Sequence, residues 1–343
     1  MIKVAIAGYG FAAHTFHVPL LHLNPDYRIV ALSTSNPDKI PPDLQSARVY
    51  RCPQEMLQHP QLDLVLITLP NTLHFELSKQ ALMAHKHVVV EKPFVNTLAE
   101  GEQLIELAER SKLVLSVFHN RRWDGDLLTV QKLIAEKRLG KLKFFESHFD
   151  RYRPEVQQRW RERAEPGSGI WFDLGSHLVD QALQLFALPE AVTGRCLQTR
   201  PQSQTDDYFH VQLHYPDHEV ILHGSCYAQN PRLRFLIQGQ QASYTKYGLD
   251  PQEQQLRQGD SPTSPHWGRE AESEYGHVYA GGSTDRVATL PGSYENFYAQ
   301  LARVIQGHEK SPAVTAEQAL DVIRVLLRAA QSSQERRTLL FSS

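Results

Sequence analysis

Short runs of branched and aliphatic residues punctuate the first third of the chain. Val4–Ala7, Ile29–Leu32, Leu64–Ile67, Val88–Val90 and Val114–Val117 are each followed by polar or turn residues. Runs this short and this continuously apolar predict strands buried on both faces, as in a parallel sheet covered by helices. Helical patterns lie between them. The clearest covers 97–111, where Thr97 and Glu100 have capping-box spacing and Leu104, Leu107 and Ala108 form an apolar stripe. Alternating strands and helices predict a doubly wound α/β domain over residues 1–120.

The pattern changes after Asn120. Residues 143–152, 207–215, 219–227 and 232–238 read as strands with few helical crossovers between them. That predicts a mainly antiparallel open sheet in a second, α+β domain spanning 121–343. Segment 250–275, rich in Gln, Pro, Ser, Gly and charge, reads as an exposed loop. A last helix is expected over 316–332, with Thr315 and Gln318 at capping-box spacing and Leu320, Ile323, Leu326 and Leu327 as its stripe. It could pack back on the first domain.

Composition narrows the class. Of 343 residues 41% are hydrophobic and 22% charged, which is ordinary globular usage. A net charge of -2 gives no footing to a dedicated nucleic-acid or cationic membrane binder. Cys52, Cys196 and Cys226 are too few and too scattered for a disulfide scaffold or a cysteine-rich zinc site. No apolar run approaches the roughly 18 residues of a membrane helix, and MIKVAIAGYG has no signal-peptide pattern. A cytoplasmic protein is expected.

The first chemical signal is Gly8-Tyr9-Gly10-Phe11-Ala12-Ala13, directly after the first strand. Its spacing, G-x-G-x-x-A, suits a dinucleotide: Gly8 for the tight turn, Gly10 for backbone approach to a pyrophosphate, Ala13 for close helix–sheet packing. The helix that follows would favour the phosphates through its free N–H groups. A ribose-reading acid should follow the second strand. That stretch is Ser33-Thr34-Ser35-Asn36, with Lys39 nearby and no Asp or Glu. Hydroxyl, amide and ammonium donors suit a 2′-phosphate, which favours NADP over NAD; a plain turn with dual use is the alternative.

Two further places carry catalytic residue types. Glu91-Lys92-Pro93 follows the fourth predicted strand at its C-terminal end, where ligands sit in open α/β sheets. Pro93 favours an extended Lys92. The ammonium could face a carbonyl or alkoxide oxygen, or remain a surface charge. In Gly167–His177, Asp173 and His177 stand four apart, one helix face. The imidazole suits proton exchange with a hydroxyl, and a carboxylate would orient it. An Asp cap beside an ordinary histidine would look the same.

Together GYGFAA, TLPNTLH at 68–74, EKP at 91–93 and D-x-G-x-H at 173–177 resemble the Gfo/Idh/MocA oxidoreductase family, over essentially the whole chain. SVFHNRRWD, DRYRPEVQQRWRE, GSGIWFDLGSHLVDQ, DDYFH and YGLDPQE are similar to its NADP-dependent scyllo-inositol dehydrogenase branch. The resemblance implies an N-terminal Rossmann domain and a C-terminal domain whose sheet joins subunits into a homodimer or homotetramer. It implies catalytic roles for Lys92, Asp173 and His177, and a cofactor-lining loop of Thr68, Leu69, Pro70, Asn71 and His74, with Glu91 beside it. His177 would remove a hydroxyl proton, Lys92 stabilise the oxygen, and Asp173 orient His177, without a metal. Asn120, Arg122, Tyr152 and Asp207 are expected on a polyol or sugar; Trp160 and Arg161 on the cofactor or as braces. Rival readings are reduction of another sugar or carbonyl on the same scaffold, and a non-catalytic NADP-binding sensor.

Other patterns carry less. His218-Glu219 with His223 is one residue too long for a zinc-protease motif and lies in a strand pattern. Ser243–Lys246 has S-x-x-K spacing without companion motifs. His210 and His214 share one strand face and read as surface residues.

Overall fold

In a computed structural model, which describes residues 1–230 and 232–341, the five apolar runs of the first third lie in one parallel sheet. Its strands are β1 (Ile2–Ala7), β2 (Tyr27–Ser33), β3 (Arg48–Tyr50), β4 (Leu64–Ile67), β5 (His87–Val90) and β6 (Leu115–Val117). They run in the order β3-β2-β1-β4-β5-β6, every neighbouring pair parallel. This is the doubly wound dinucleotide-binding order, with its switch point between β1 and β4. Val4, Ile6, Leu64, Leu66, Val88 and Val90 are fully buried, as helices on both faces require. Only the edge strand β3 escaped the hydrophobic pattern, because its three residues Arg-Val-Tyr are solvated on both faces.

The capping box at Thr97 forms as its spacing predicts: Thr97 Oγ1 accepts from Glu100 N–H at 3.3 Å, and Glu100 Oε2 accepts from Thr97 N–H at 3.0 Å. Thr315 and Gln318 make the same reciprocal pair, each at 3.3 Å, ahead of a helix over Ala316–Glu335.

Two compact units emerge. The first holds Met1–Asn120, Gln252–Trp267 and Ser293–Leu320; the second holds Arg121–Pro251, Gly268–Gly292 and Asp321–Ser343. Two later segments thus return to the first unit, where a cut at residue 120 would have excluded them. Segment 250–275 is also more ordered than its polar composition predicts. A helix spans Gln252–Gln258, with Gln252 and Leu256 buried, and Trp267 donates its indole N–H to Glu295 at 2.8 Å. Two apolar anchors, eleven residues apart, gave too weak a period to read.

Among the described residues, the second unit is built on nine strands: β7 (Leu142–His148), β8 (Ala191–Leu197), β9 (Tyr208–His214), β10 (Glu219–Ser225), β11 (Leu233–Gly239), β12 (Ser243–Tyr247), β13 (Gly276–Ala280), β14 (Ser283–Val287) and β15 (Leu339–Leu340). Their order is β14-β13-β12-β11-β7-β10-β9-β8-β15. All pairs are antiparallel except β7 with β10, which run parallel, so the sheet is mixed. Side chains alternate strictly in its middle. Phe145, Phe209, Val211, Leu213, Val220 and Leu222 are fully buried on the inner face, while Glu146, His148, His210, Gln212, Ile221 and His223 are half-buried on the outer. Arg234 is wholly enclosed. Arg234 donates to Asp126 at 2.6 Å, Ser147 at 2.9 Å and Gln181 at 2.8 Å.

Candidate active site

Register assembles the site of the first unit. Ser33 pairs with Ala7, Ala7 with Ile67, and Ile67 with Val90. The residues that leave the sheet next, Gly8, Thr68 and Glu91, therefore stand side by side at the C-terminal edge with Ser33. That edge, at the switch point, is where a doubly wound sheet binds its ligand. Gly8 has φ +93°, and its N–H donates to Ser33 O at 3.0 Å. Thr68 Oγ1 donates to Gly8 O at 2.6 Å. A Cβ at Gly8 would lie 2.9 Å from Leu69 Cδ2, so both shape and conformation exclude a side chain.

Gly10 differs. A Cβ there would meet nothing within 4 Å, so the protein itself gives no reason for glycine. Open space over a backbone at the head of a helix is what a pyrophosphate needs. Ala13, fully buried, begins a wide π-helical stretch over Ala13–His17 that leads into Val18–Leu23. The residues present thus fit the cofactor. Gly10→Ala should leave the melting temperature unchanged and weaken dinucleotide binding by at least about tenfold. A thermal melt beside a nucleotide titration reads both, and unchanged affinity would remove Gly10 from the cradle. Tyr9 and Ala12 are half-buried and Phe11 is exposed, its ring 5.4 Å from the Arg257 guanidinium. Beyond β2, Ser33 and Thr34 are buried, whereas Ser35 and Lys39 are exposed.

The next two loops are stitched together. His74, fully buried, places Nδ1 2.9 Å from Pro93 O and Nε2 2.9 Å from Leu69 O. Burial holds it below the usual imidazole pKa, outweighing the two carbonyls. Asn71 Nδ2 donates to Asn96 Oδ1 at 3.1 Å, and Asn96 returns a bond to Asn71 O at 3.3 Å. Pro70 and the half-buried Lys92 sit on these two loops. Glu91 is committed below them: Oε1 lies 2.8 Å from His17 Nε2, and Oε2 accepts from Lys92 N–H at 3.1 Å. His17 Nδ1 in turn lies 2.6 Å from the Tyr298 hydroxyl, which burial keeps protonated. No motif singled out His17 or Tyr298, because their positions become meaningful only once the fold brings 281 residues of separation together.

In the second unit, Asp173 lies in a π-helical turn, Trp171–Gly175, that runs into the helix Ser176–Phe186 carrying His177. Phe149 stacks on the His177 ring, centroids 6.2 Å apart at 28°. Arg161 Nε is 3.4 Å from Asp173 Oδ1, and its guanidinium lies over the Trp160 ring at 4.6 Å. Arg161 is therefore a neighbour of Asp173, a placement the sequence did not suggest. The same recess is lined by Arg151, Arg153, Arg159 and Arg200.

Two expected substrate residues are otherwise engaged. Asp207 is fully buried; Oδ1 accepts from Thr199 N–H and Oγ1–H at 2.6 Å each, and Oδ2 from Arg200 N–H and Nε–H at 3.0 Å. Arg122 grips Asp180 through Nε at 2.9 Å and Nη2 at 2.7 Å, both side chains buried. Each satisfies a buried charge. Asn120 is buried at the end of the first unit's opening segment, and Tyr152 is exposed, bridged to Tyr227.

Known proteins match this arrangement. Residues 2–119 match the oxidoreductase family's NAD-binding Rossmann fold and 131–340 its C-terminal alpha/beta domain. The uncharacterized oxidoreductase YdgJ of Escherichia coli is 43% identical over 342 residues, 98% of each chain. The NADP(+) scyllo-inositol 2-dehydrogenase IolW of Bacillus subtilis is 40% identical, covering 99% of this chain and 96% of its own. The solved structure of the oxidoreductase yvaA from Bacillus subtilis superposes with a TM-score of 0.96 at 39% identity, over 99% and 98% of the two chains. With both of its domains matched in order, the chain belongs to the Gfo/Idh/MocA family of oxidoreductases.

Proposed function

We propose that the protein is an NADP(H)-dependent dehydrogenase of a cyclic polyol or sugar, interconverting a secondary alcohol and its ketone. The observation that carries this reading is the edge of the first sheet, where Gly8, Thr68, Glu91 and Lys92 end adjacent strands around the switch point. A nicotinamide dinucleotide, when bound, supplies the hydride acceptor or donor. Gly8, Gly10 and the head of the following helix hold its phosphates. Ser35 and Lys39, both exposed beyond β2, present donors, and Ser33–Asn36 contains no acid, which suits a 2′-phosphate. IolW, 40% identical, is an NADP(+) enzyme, which supports the same choice.

Within the second unit, His177 takes the hydroxyl proton in oxidation and returns it in reduction. Asp173, steadied by Arg161 at 3.4 Å, sets the imidazole and accepts from a neighbouring hydroxyl. Lys92 supplies positive charge to the oxygen as it becomes anionic, an electrostatic contribution of a few kcal/mol. Assembly into two or four copies through the outer face of the second sheet fits its row of half-buried rather than solvated side chains. Three free, scattered cysteines fit a cytoplasmic setting.

Nicotinamide absorbance, followed against inositols, inososes, aldoses and keto acids with NADP and NAD side by side, tests the reading. Turnover of an inositol, with kcat/KM at least about tenfold higher for NADP, is expected. Light scattering on the same preparation should show a dimer or tetramer. Activity with only an aldose or keto acid would move the protein to a different substrate class. Turnover with none would leave a nucleotide-binding sensor.

A further inference from the structure

The outer face of the second sheet brings three metal-binding side chains together from two strands. His148 ends β7, Asp150 follows two residues on, and His223 lies opposite His148 in the parallel β7–β10 register. One donor atom of each lies within 4.8 Å of the others. Asp150 stands between the rings, with Oδ2 3.0 Å from His148 Nδ1 and Oδ1 3.1 Å from His223 Nδ1. All three side chains are largely buried, 7–18% exposed. The same alternation that points His148 and Asp150 outward turns Phe149 inward onto His177.

The hydrogen bonding leaves a place for a cation. Glu146 Oε1 is 2.8 Å from His148 Nε2. An ionised carboxylate only accepts, so Nε2 carries the hydrogen. His148 Nδ1, 3.0 Å from Asp150 Oδ2, can then hold either a proton or a metal ion. On the other side, His223 Nδ1 is buried and makes no hydrogen bond, although Asp150 Oδ1 is close. A metal ion in place of that proton would be held by both imidazoles and the Asp150 carboxylate, with Glu146 as the outer carboxylate that fixes the tautomer of a ligating histidine. Bound to a metal as neutral imidazoles, the two histidines would leave Glu146 and Asp150 to balance a divalent ion. At metal–ligand lengths of about 2.0–2.1 Å, tetrahedral ligand atoms sit roughly 3.3 Å apart. The two Asp150–imidazole separations, 3.0 and 3.1 Å, are near that through different carboxylate oxygens, so Asp150 would bind through both oxygens or after a small rotation. Two nitrogens and an oxygen suit zinc and its neighbours over calcium or magnesium.

We propose that His148, Asp150 and His223 form a site for one zinc-class divalent ion, placed behind the wall on which Phe149 supports His177. The fourth position falls to water or to His210, whose ring is 6.0 Å from that of His223, its register partner on β9. His218 and Glu219, which share a sequence motif with His223, take no part: His218 pairs with Asp217, and Glu219 with His214.

The test is metal uptake by the full chain after chelator stripping. Equilibrium dialysis against zinc, with a competing chromophoric chelator, should give one ion per chain. His223→Asn and His148→Asn should each weaken binding at least about 100-fold, since each removes a ligand. His214→Ala, on the same face but outside the cluster, should leave it unchanged. Cobalt in place of zinc should give the visible absorption of a four-coordinate ion, and X-ray absorption should show mixed nitrogen and oxygen ligands at about 2.0–2.1 Å; both are read on the unaltered protein, so an unfolded variant does not decide the matter. No uptake by the unaltered chain would establish an ion-pair network only and overturn the proposal. Uptake that survives both histidine substitutions would overturn it equally.

Discussion

Lys92→Met is expected to lower turnover by about 10³-fold, while dinucleotide affinity stays within about threefold. Methionine keeps the length and apolar stem of the half-buried lysine and removes only its charge. The surrounding loop has other anchors. Its backbone is fixed by the Lys92 N–H to Glu91 bond at 3.1 Å, by Glu91 on His17 at 2.8 Å, and by His74 on Pro93 O at 2.9 Å. Loss should therefore fall on the chemical step alone, because a positive charge is needed most when the substrate oxygen becomes anionic. Steady-state kcat, nucleotide fluorescence and a thermal melt separate the cases. Unchanged turnover would remove Lys92 from the mechanism. A fall in melting temperature together with affinity would make its role structural.

The first sheet was legible because its signals are local. Continuous apolar runs, a glycine loop and a capping box each lie within a few residues, and β1, β2, β4, β5 and β6 appear where those runs predict them. The second sheet was half legible. β9 and β10 alternate cleanly, whereas β8, with its Thr-Gly-Arg-Cys interior, and the solvated hairpin β13–β14 do not. The Gly281-Gly282 turn, both residues at positive φ, was the one available hairpin signal in that stretch. At the site, motif residues could be named but not their commitments. Nothing around Asp207 in the sequence announces Thr199 and Arg200, and nothing around Arg122 announces Asp180, 58 residues away. Such pairs are set by burial, and burial belongs to the fold. The histidine cluster escaped for the same reason: its members come from strands adjacent in space and 75 residues apart in sequence, while the motif that did appear in sequence joined His223 to the wrong partners.

Asp206→Asn is expected to leave stability unchanged near pH 4 and to raise it by a few kcal/mol above pH 7. Asp206 anchors the turn that carries Asp173. Its Oδ2 accepts from Trp171 N–H at 2.6 Å, and its carbonyl accepts from Ile170 N–H at 3.0 Å. Gly169, at φ +88°, packs so closely that a Cβ would overlap the carboxylate. Burial pushes the Asp206 carboxyl up to about 7; the backbone N–H groups oppose the rise, and neighbouring Asp207 adds to it. The folded chain therefore holds a proton that the unfolded chain releases near the ordinary carboxylate value. Between those limits the native state binds the extra proton, so this group's contribution falls as pH rises from about 4 to about 7 and is level above. Asparagine mimics the protonated carboxyl at every pH, since its carbonyl accepts from Trp171 N–H and its amide replaces the hydroxyl donor. Urea denaturation of both proteins from pH 4 to pH 8 reads the difference directly. A difference that is flat with pH would show that Asp206 is ionised in the folded state, and the turn bearing Asp173 would then rest on a buried carboxylate rather than a neutral acid.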